Sequence, residues 1–266
     1  MSPTEIPQPG LGTSGHEGEA CTEAVKTALE AGYRHIDTAQ MYDNERAVGR
    51  ALEESDVPRE DVFLATKVHP ENLAREDVLE TTAESLERLG VESVDLLYVH
   101  WPTGAYEPED TLPAFDEVRD RGWTDHVGVS NFTTDLLEEA VEILEAPVLA
   151  NQVELHPRLQ QDDLVSFARE RDVTTVAYCP IAKAEVNEID ELREIADAHD
   201  ATPVQVALAW HYGREGVVPI PKGSGEHIRE NYDALEIELS EDERERIDDL
   251  DRGERLVDPD EAAWNR

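Results

Sequence analysis

The chain has 266 residues, with 62 Asp and Glu against 23 Lys and Arg and a formal net charge of −39 at pH 7. Such a surface repels phosphate and excludes nucleic acid as a partner, and no stretch approaches the ~20 apolar residues of a membrane span. The N-terminal MSPTEIPQPG lacks the basic and apolar regions of a secretory signal. The two cysteines, Cys21 and Cys179, are distant in sequence and show no metal spacing, which points to a reduced, cytoplasmic protein.

In chain order, GLGTSG reads as a first short strand. GEACTEAVKTALEAG is an amphipathic helix, with Ala20, Ala24, Val25, Ala28 and Leu29 on one stripe and Gly32 as its stop. YRHID is a buried strand, NERAVGRALEES a helix capped by Asn44, and DVFLATKV a strand. REDVLETTAESLERLG is a helix ending at Gly90, followed by the strand VDLLYVHW. The alternation continues with TLPAFDEVRDRG, HVGVSNF, TTDLLEEAVEILEA, PVLANQVEL, DDLVSFARER and VTTVAYCP. Two helices follow, EIDELREIADAHD and TPVQVALAWHYG, the second with Thr202 as N-cap and Pro203 at its first helical position. VVPIPKG is the last strand. Apolar strands alternating with amphipathic helices mean a parallel sheet covered by helices. About eight such units in one chain favour a single (β/α)8 TIM barrel spanning residues 1–266. The first strand–helix junction lacks G-x-G-x-x-G, which weakens a Rossmann reading.

High net charge is also a mark of disorder, but apolar segments recur at regular spacing to the C-terminus. A halophilic protein fits better, because at ~1 M salt the Debye length falls to ~3 Å and surface acids stop repelling one another. Only four of the 23 basic residues are lysines: Lys26, Lys67, Lys183 and Lys222.

Asp37, Lys67, His100, Ser130 with Asn131, Gln152 and Tyr178 each end a different predicted strand. In a barrel these ends converge on one mouth, where active sites of this fold lie. Singly, each has a plain structural reading: a lone Asp or Asn caps a helix, and a lysine pairs with an acid. Together they suggest chemistry. A carboxylate at Asp37 would hold Lys67 charged, and the ammonium would lower the pKa of Tyr42 from ~10 toward a useful range. Tyr42 would then be a general acid toward a carbonyl oxygen, with His100 orienting the carbonyl or sharing the proton.

The segments GYRHIDTAQMYDNE, LATKV, YVHWP, GVSNF, NQVELHP and VVPIPKG resemble the aldo-keto reductase superfamily, closest to prokaryotic diketogluconate and aldose reductase-like members. The resemblance runs from Gly10 to the C-terminal RGERLVDPD. It implies NAD(P)H-dependent reduction of aldehydes and ketones by direct hydride transfer, with a tetrad of Asp37, Tyr42, Lys67 and His100. It implies that Ser130, Asn131 and Gln152 hydrogen-bond the nicotinamide carboxamide and that Tyr178 stacks on its ring. Lys222, Ser224, His227, Glu230 and Asn231 would hold the adenosine end. A Gly/Ser turn before a helix also suits phosphate on physical grounds.

The chain departs from this pattern in three places. Ser14 stands where many relatives have an aromatic residue, so the pocket wall should be open and polar. The loop after Tyr178, CPIAKAEVNE, is short, and Cys179 replaces the usual serine. His227 falls where relatives carry an arginine facing the adenosine phosphate, in a segment one residue shorter. The cofactor expected is therefore NADPH with tolerance of NADH. Trp101 should wall the substrate pocket and Trp264 should lie over the mouth or be disordered. Trp123 and His156 read as structural, and Lys183 as a loop residue. No metal motif is present. The partner expected is a small carbonyl compound, acted on by a monomer. Two other readings are a Schiff-base aldolase using Lys67 and a cofactor-binding regulatory barrel with little turnover.

Overall fold

The computed structural model describes residues 6–265; the rest of the N-terminal stretch read above, and Arg266, lie outside them. Eight parallel strands pair in the order β1 to β8. They are β1 (Gly10–Gly12), β2 (His35–Asp37), β3 (Phe63–Val68), β4 (Val94–Val99), β5 (Thr124–Ser130), β6 (Val148–Glu154), β7 (Thr174–Tyr178) and β8 (Val217–Pro219). The Gly12 N–H donates across the β8–β1 seam to the Pro221 carbonyl at 3.2 Å. The chain is a single (β/α)8 TIM barrel.

The helices are α1 (Gly18–Ala31), α2 (Glu45–Glu54), α3 (Arg75–Leu89), α4 (Pro108–Asp120), α5 (Thr134–Ile143), α6 (Asp162–Arg169), α7 (Asp190–Ala198), α8 (Pro203–Tyr212), α9 (Glu226–Asp233) and α10 (Glu241–Asp248). As the sequence indicates, α1 and α3 end on left-handed Gly32 and Gly90, where a Cβ would be strained. Thr202 and Gln205 form a full capping box on α8. Asn44 is a correction. Its side chain does not cap α2 but ties the β1–α1 turn: Nδ2 donates to the Thr13 and His16 carbonyls at 2.9 and 3.0 Å, and Oδ1 accepts from Thr38 Oγ1.

Side chains at alternate strand positions fill the lumen. Phe63 and Ala65, Leu96 and Tyr98, Val176 and Tyr178, and Val218 and Ile220 pack there as one apolar cluster. Gly128 is a condition of this packing, since a Cβ on it would sit 2.7 Å from the Tyr98 ring. A second layer lies between sheet and helices, with Val25, Leu64, Leu97 and Phe115 among its buried members. The lumen is thus plugged from below by this cluster, with the buried His35 ring, at the start of β2, set edge-on to Phe63.

Candidate active site

Asp37 ends β2 and Lys67 lies one residue from the end of β3, both facing inward and both buried. Lys67 Nζ donates to Asp37 Oδ1 at 2.5 Å and to the Thr38 carbonyl at 2.8 Å. Gln152 Nε2, from β6, donates to the other Asp37 oxygen at 2.8 Å. Thr13 fixes the Asp37 backbone, its N–H and hydroxyl both donating to the Asp37 carbonyl at 3.0 Å. A buried ion pair loses several kcal/mol of hydration per charge, which only such full hydrogen bonding offsets. Burial works to strip the Lys67 ammonium of its proton. Asp37 and then Tyr42 outweigh burial, and the net shift is upward.

Tyr42 sits in a short turn after β2, with Lys67 Nζ 5.1 Å from its ring centroid. The His100 ring meets it edge-on at 5.6 Å. The expected net lowering of the phenol pKa is corrected. Burial raises it, Lys67 pulls it down as expected without cancelling burial, and the net shift is upward. Tyr42 is therefore a fully protonated phenol near neutrality. Burial, followed by Lys67 and His69, holds His100 well below the ordinary imidazole range, so it is neutral. Its Nδ1 has no hydrogen-bond partner among the described residues.

Beside the tetrad, Ser130 Oγ donates to the Gln152 carbonyl at 2.9 Å. Asn131, in the left-handed region at φ 64°, donates through Nδ2 to the His100 carbonyl and Ser130 Oγ. The Tyr178 hydroxyl donates to Asn131 Oδ1 at 2.9 Å, which fixes the orientation of a half-buried ring at the mouth. The structure thus brings Asp37, Tyr42, Lys67, His100, Ser130, Asn131, Gln152 and Tyr178 to one end of the barrel.

The residues assigned to the adenosine end lie on β8's exit and α9. Lys222 and Ser224 are exposed, and Asn231 is buried, with its carbonyl accepting from Tyr212 at 3.1 Å. His227 Nδ1 is 2.8 Å from Glu230 Oε2, so these two residues face each other. Ser14 is exposed at the β1–α1 turn, as an open wall requires.

Glu154 is a functional candidate that sequence reasoning missed. This fully buried carboxylate at the end of β6 accepts from the Leu256 and Val257 N–H groups at 2.7 and 3.0 Å and contacts His156 Nε2 at 3.0 Å. It anchors the C-terminal segment so that Trp264 packs on Trp101, ring centroids 5.7 Å apart, under the Arg255 guanidinium. The acidic end of NQVEL was its only signal. Trp264 thus lies against Trp101, while Trp123 packs under Arg121 and Lys183 donates to the Leu256 carbonyl.

A parallel barrel whose mouth gathers a carboxylate, a charged lysine, a protonated tyrosine and a neutral histidine is equipped to donate a proton to a carbonyl oxygen. Residues 10–252 match the Aldo/keto reductase family, and the chain belongs to it. It is 39% identical to the methylglyoxal reductase DkgB of Escherichia coli O157:H7 over 262 residues, covering 97% of this chain and 98% of that one. It is 39% identical to the glyoxal reductase of Bacillus subtilis over 263 residues, covering 98% and 95%. The Bombyx mori aldo-keto reductase in complex with NADP superposes with a TM-score of 0.88 at 28% identity, covering 96% of this chain and 92% of that one. The chain is an NAD(P)H-dependent oxidoreductase acting on carbonyl compounds. Among the described residues no helix is long and apolar enough to cross a membrane.

Proposed function

We propose that the enzyme reduces small aldehydes, 2-oxoaldehydes among them, with Tyr42 as general acid and NADPH as the preferred cofactor. The observation that carries this reading is the buried Lys67 held between Asp37 and Tyr42. A bound reduced nicotinamide supplies hydride to the carbonyl carbon. Tyr42 delivers its proton to the carbonyl oxygen, and Lys67 stabilises the phenolate that remains. Neutral His100 orients the carbonyl. Gln152 and Thr13 keep Asp37, and through it Lys67, in place. The Trp101–Trp264 wall excludes water from one side.

The mouth fits a nicotinamide ring: Tyr178 offers a ring fixed at its hydroxyl, beside a locked Asn131 and Ser130. Gln152 spends its amide N–H on Asp37 and retains its carbonyl oxygen for the carboxamide. At the adenosine end, exposed Lys222 supplies a permanent charge for a 2′-phosphate, aided by Ser224. Glu230 sits against His227 and weakens its attraction for a phosphate, which supports only a modest preference for NADPH over NADH. A Schiff-base role for Lys67 requires a neutral amine, and Lys67 is pushed the other way.

The exposed large apolar side chains among the described residues are Met41, Val141 and Leu235, on separate elements, which supports a monomer. Cys21 and Cys179 are free thiols, in keeping with a reducing cytoplasm. The direct test is oxidation of NADPH and NADH in molar KCl with methylglyoxal, glyoxal, simple aldehydes and keto acids. Turnover of aldehydes with either nucleotide is the predicted result. Binding of nucleotide without turnover of any carbonyl would leave the regulatory reading standing instead.

A further inference from the structure

The β1–α1 turn is held rigidly. The His16 N–H donates to the Thr13 carbonyl at 3.0 Å, and Asn44, just before α2, ties both the Thr13 and His16 carbonyls. This places the turn against the loop leaving β8. Lys222 Nζ lies 3.3 Å from the point where a Cβ on Gly15 would be, so the absence of a side chain there admits the ammonium. His16 is half-buried beside it, and its Nε2 is shielded from solvent with no hydrogen-bond partner among the described residues. A shielded imidazole nitrogen and an exposed ammonium thus lie beside each other where the β1–α1 turn meets the loop leaving β8.

We propose that His16 is a phosphate-binding residue that takes up a proton when the dinucleotide binds between it and Lys222. The inference rests on the nicotinamide reading above. Two cations side by side are unfavourable until an anion enters, and a phosphate oxygen then both separates them and accepts a hydrogen bond from each. Burial, and then the Lys222 charge, keep the free imidazole below its ordinary value, while the Gly223 backbone acts weakly the other way. The groups acting on the ring are Lys222 and the Gly223 backbone from the β8 loop; the neutral Asn44, just before α2, bonds the His16 backbone, and the neighbouring Glu17 is exposed. His227, on α9, is paired with Glu230. By linkage, proton uptake on binding makes dinucleotide affinity rise as pH falls toward the free imidazole pKa.

The test is calorimetric titration of NADP+ and NAD+ into the full chain in molar KCl, at about pH 7, in two buffers of different ionisation enthalpy. The wild type is expected to take up a measurable part of about one proton per dinucleotide. His16→Asn is expected to abolish the uptake and weaken binding about tenfold. Uptake with both nucleotides assigns the contact to the pyrophosphate, and uptake with NADP+ alone assigns it to the 2′-phosphate. Equal uptake by wild type and variant, or tight binding by wild type with none, overturns the role of His16 and leaves the cofactor reading intact. No binding of either nucleotide overturns both. Should His16→Asn fail to fold, the wild type alone decides. Its His16 ring resonance must titrate at higher pH with saturating NADP+, and an unmoved midpoint refutes the proposal.

Discussion

Gln152 Nε2 donates to Asp37 Oδ2 at 2.8 Å, so the carboxylate that holds Lys67 is itself held from across the barrel. Gln152→Leu leaves that oxygen buried and unpaired. The expected cost is about 1.5–3 kcal/mol of stability, the range for a hydrogen bond to a charged group. Gln152→Glu should cost more, since it sets a second carboxylate beside Asp37. Urea unfolding at constant KCl measures both. A loss for Gln152→Leu below about 0.5 kcal/mol would show that the contact holds nothing.

The net upward shift at Tyr42 fixes the form of the pH–rate profile. A general acid works only while protonated. Reduction at saturating substrate and cofactor should therefore stay flat through neutrality and fall only near or above the ordinary phenol pKa of ~10. His100 protonates only well below its ordinary value, so it adds no acid limb near neutrality. An alkaline limb in kcat with a midpoint between about 7 and 8 would mean that the Lys67 charge outweighs burial.

The indole of Trp264 packs on Trp101 because Glu154 pins the chain eight residues earlier, at Leu256. Trp264→Ala should raise KM for an aldehyde about 3–10-fold, with little change in kcat, since one aromatic contact is worth on the order of 1 kcal/mol. Glu154→Gln should reproduce the KM effect if the anchor is what positions the wall. Steady-state kinetics on both variants decides the point: unchanged KM in both would place the substrate elsewhere.

A net charge of −39 should make folding depend on salt. Helix α10, EDERERID, carries five acids in eight residues and shows how densely like charges meet on the surface. Removing screening sets their repulsion against a folding margin of only ~5–15 kcal/mol. The thermal midpoint is predicted to fall steeply as KCl drops from molar to tenths of molar. A flat midpoint across that range would refute the halophilic reading.

The barrel was legible because strand and helix periods alternate along the whole chain, and the convergence of Asp37, Lys67 and His100 followed from their places at strand ends. Side-chain pairing was not. Asn44 looked like a cap, but its partners, Thr13 and His16, come from a turn some 30 residues earlier in sequence. Gln152 reaches Asp37 across 115 residues, a relationship that no local pattern encodes. The direction of the Tyr42 shift depends on burial against charge, and burial is a property of the assembled mouth. The path of the C-terminal segment hangs on one buried acid, Glu154, that sequence alone does not distinguish from 61 others.

The assignment of Tyr42 as the proton donor is tested most directly by Tyr42→Phe, with nucleotide affinity and aldehyde turnover measured on the same preparation. The ring and its packing against His100 survive the change, so NADPH affinity should stay within about twofold of wild type. Turnover should fall by roughly 10²–10⁴-fold, the range for loss of a general acid. Turnover close to wild type, with nucleotide still bound, would show that the proton comes from another group and that the Asp37–Lys67–Tyr42 arrangement does not drive the reaction.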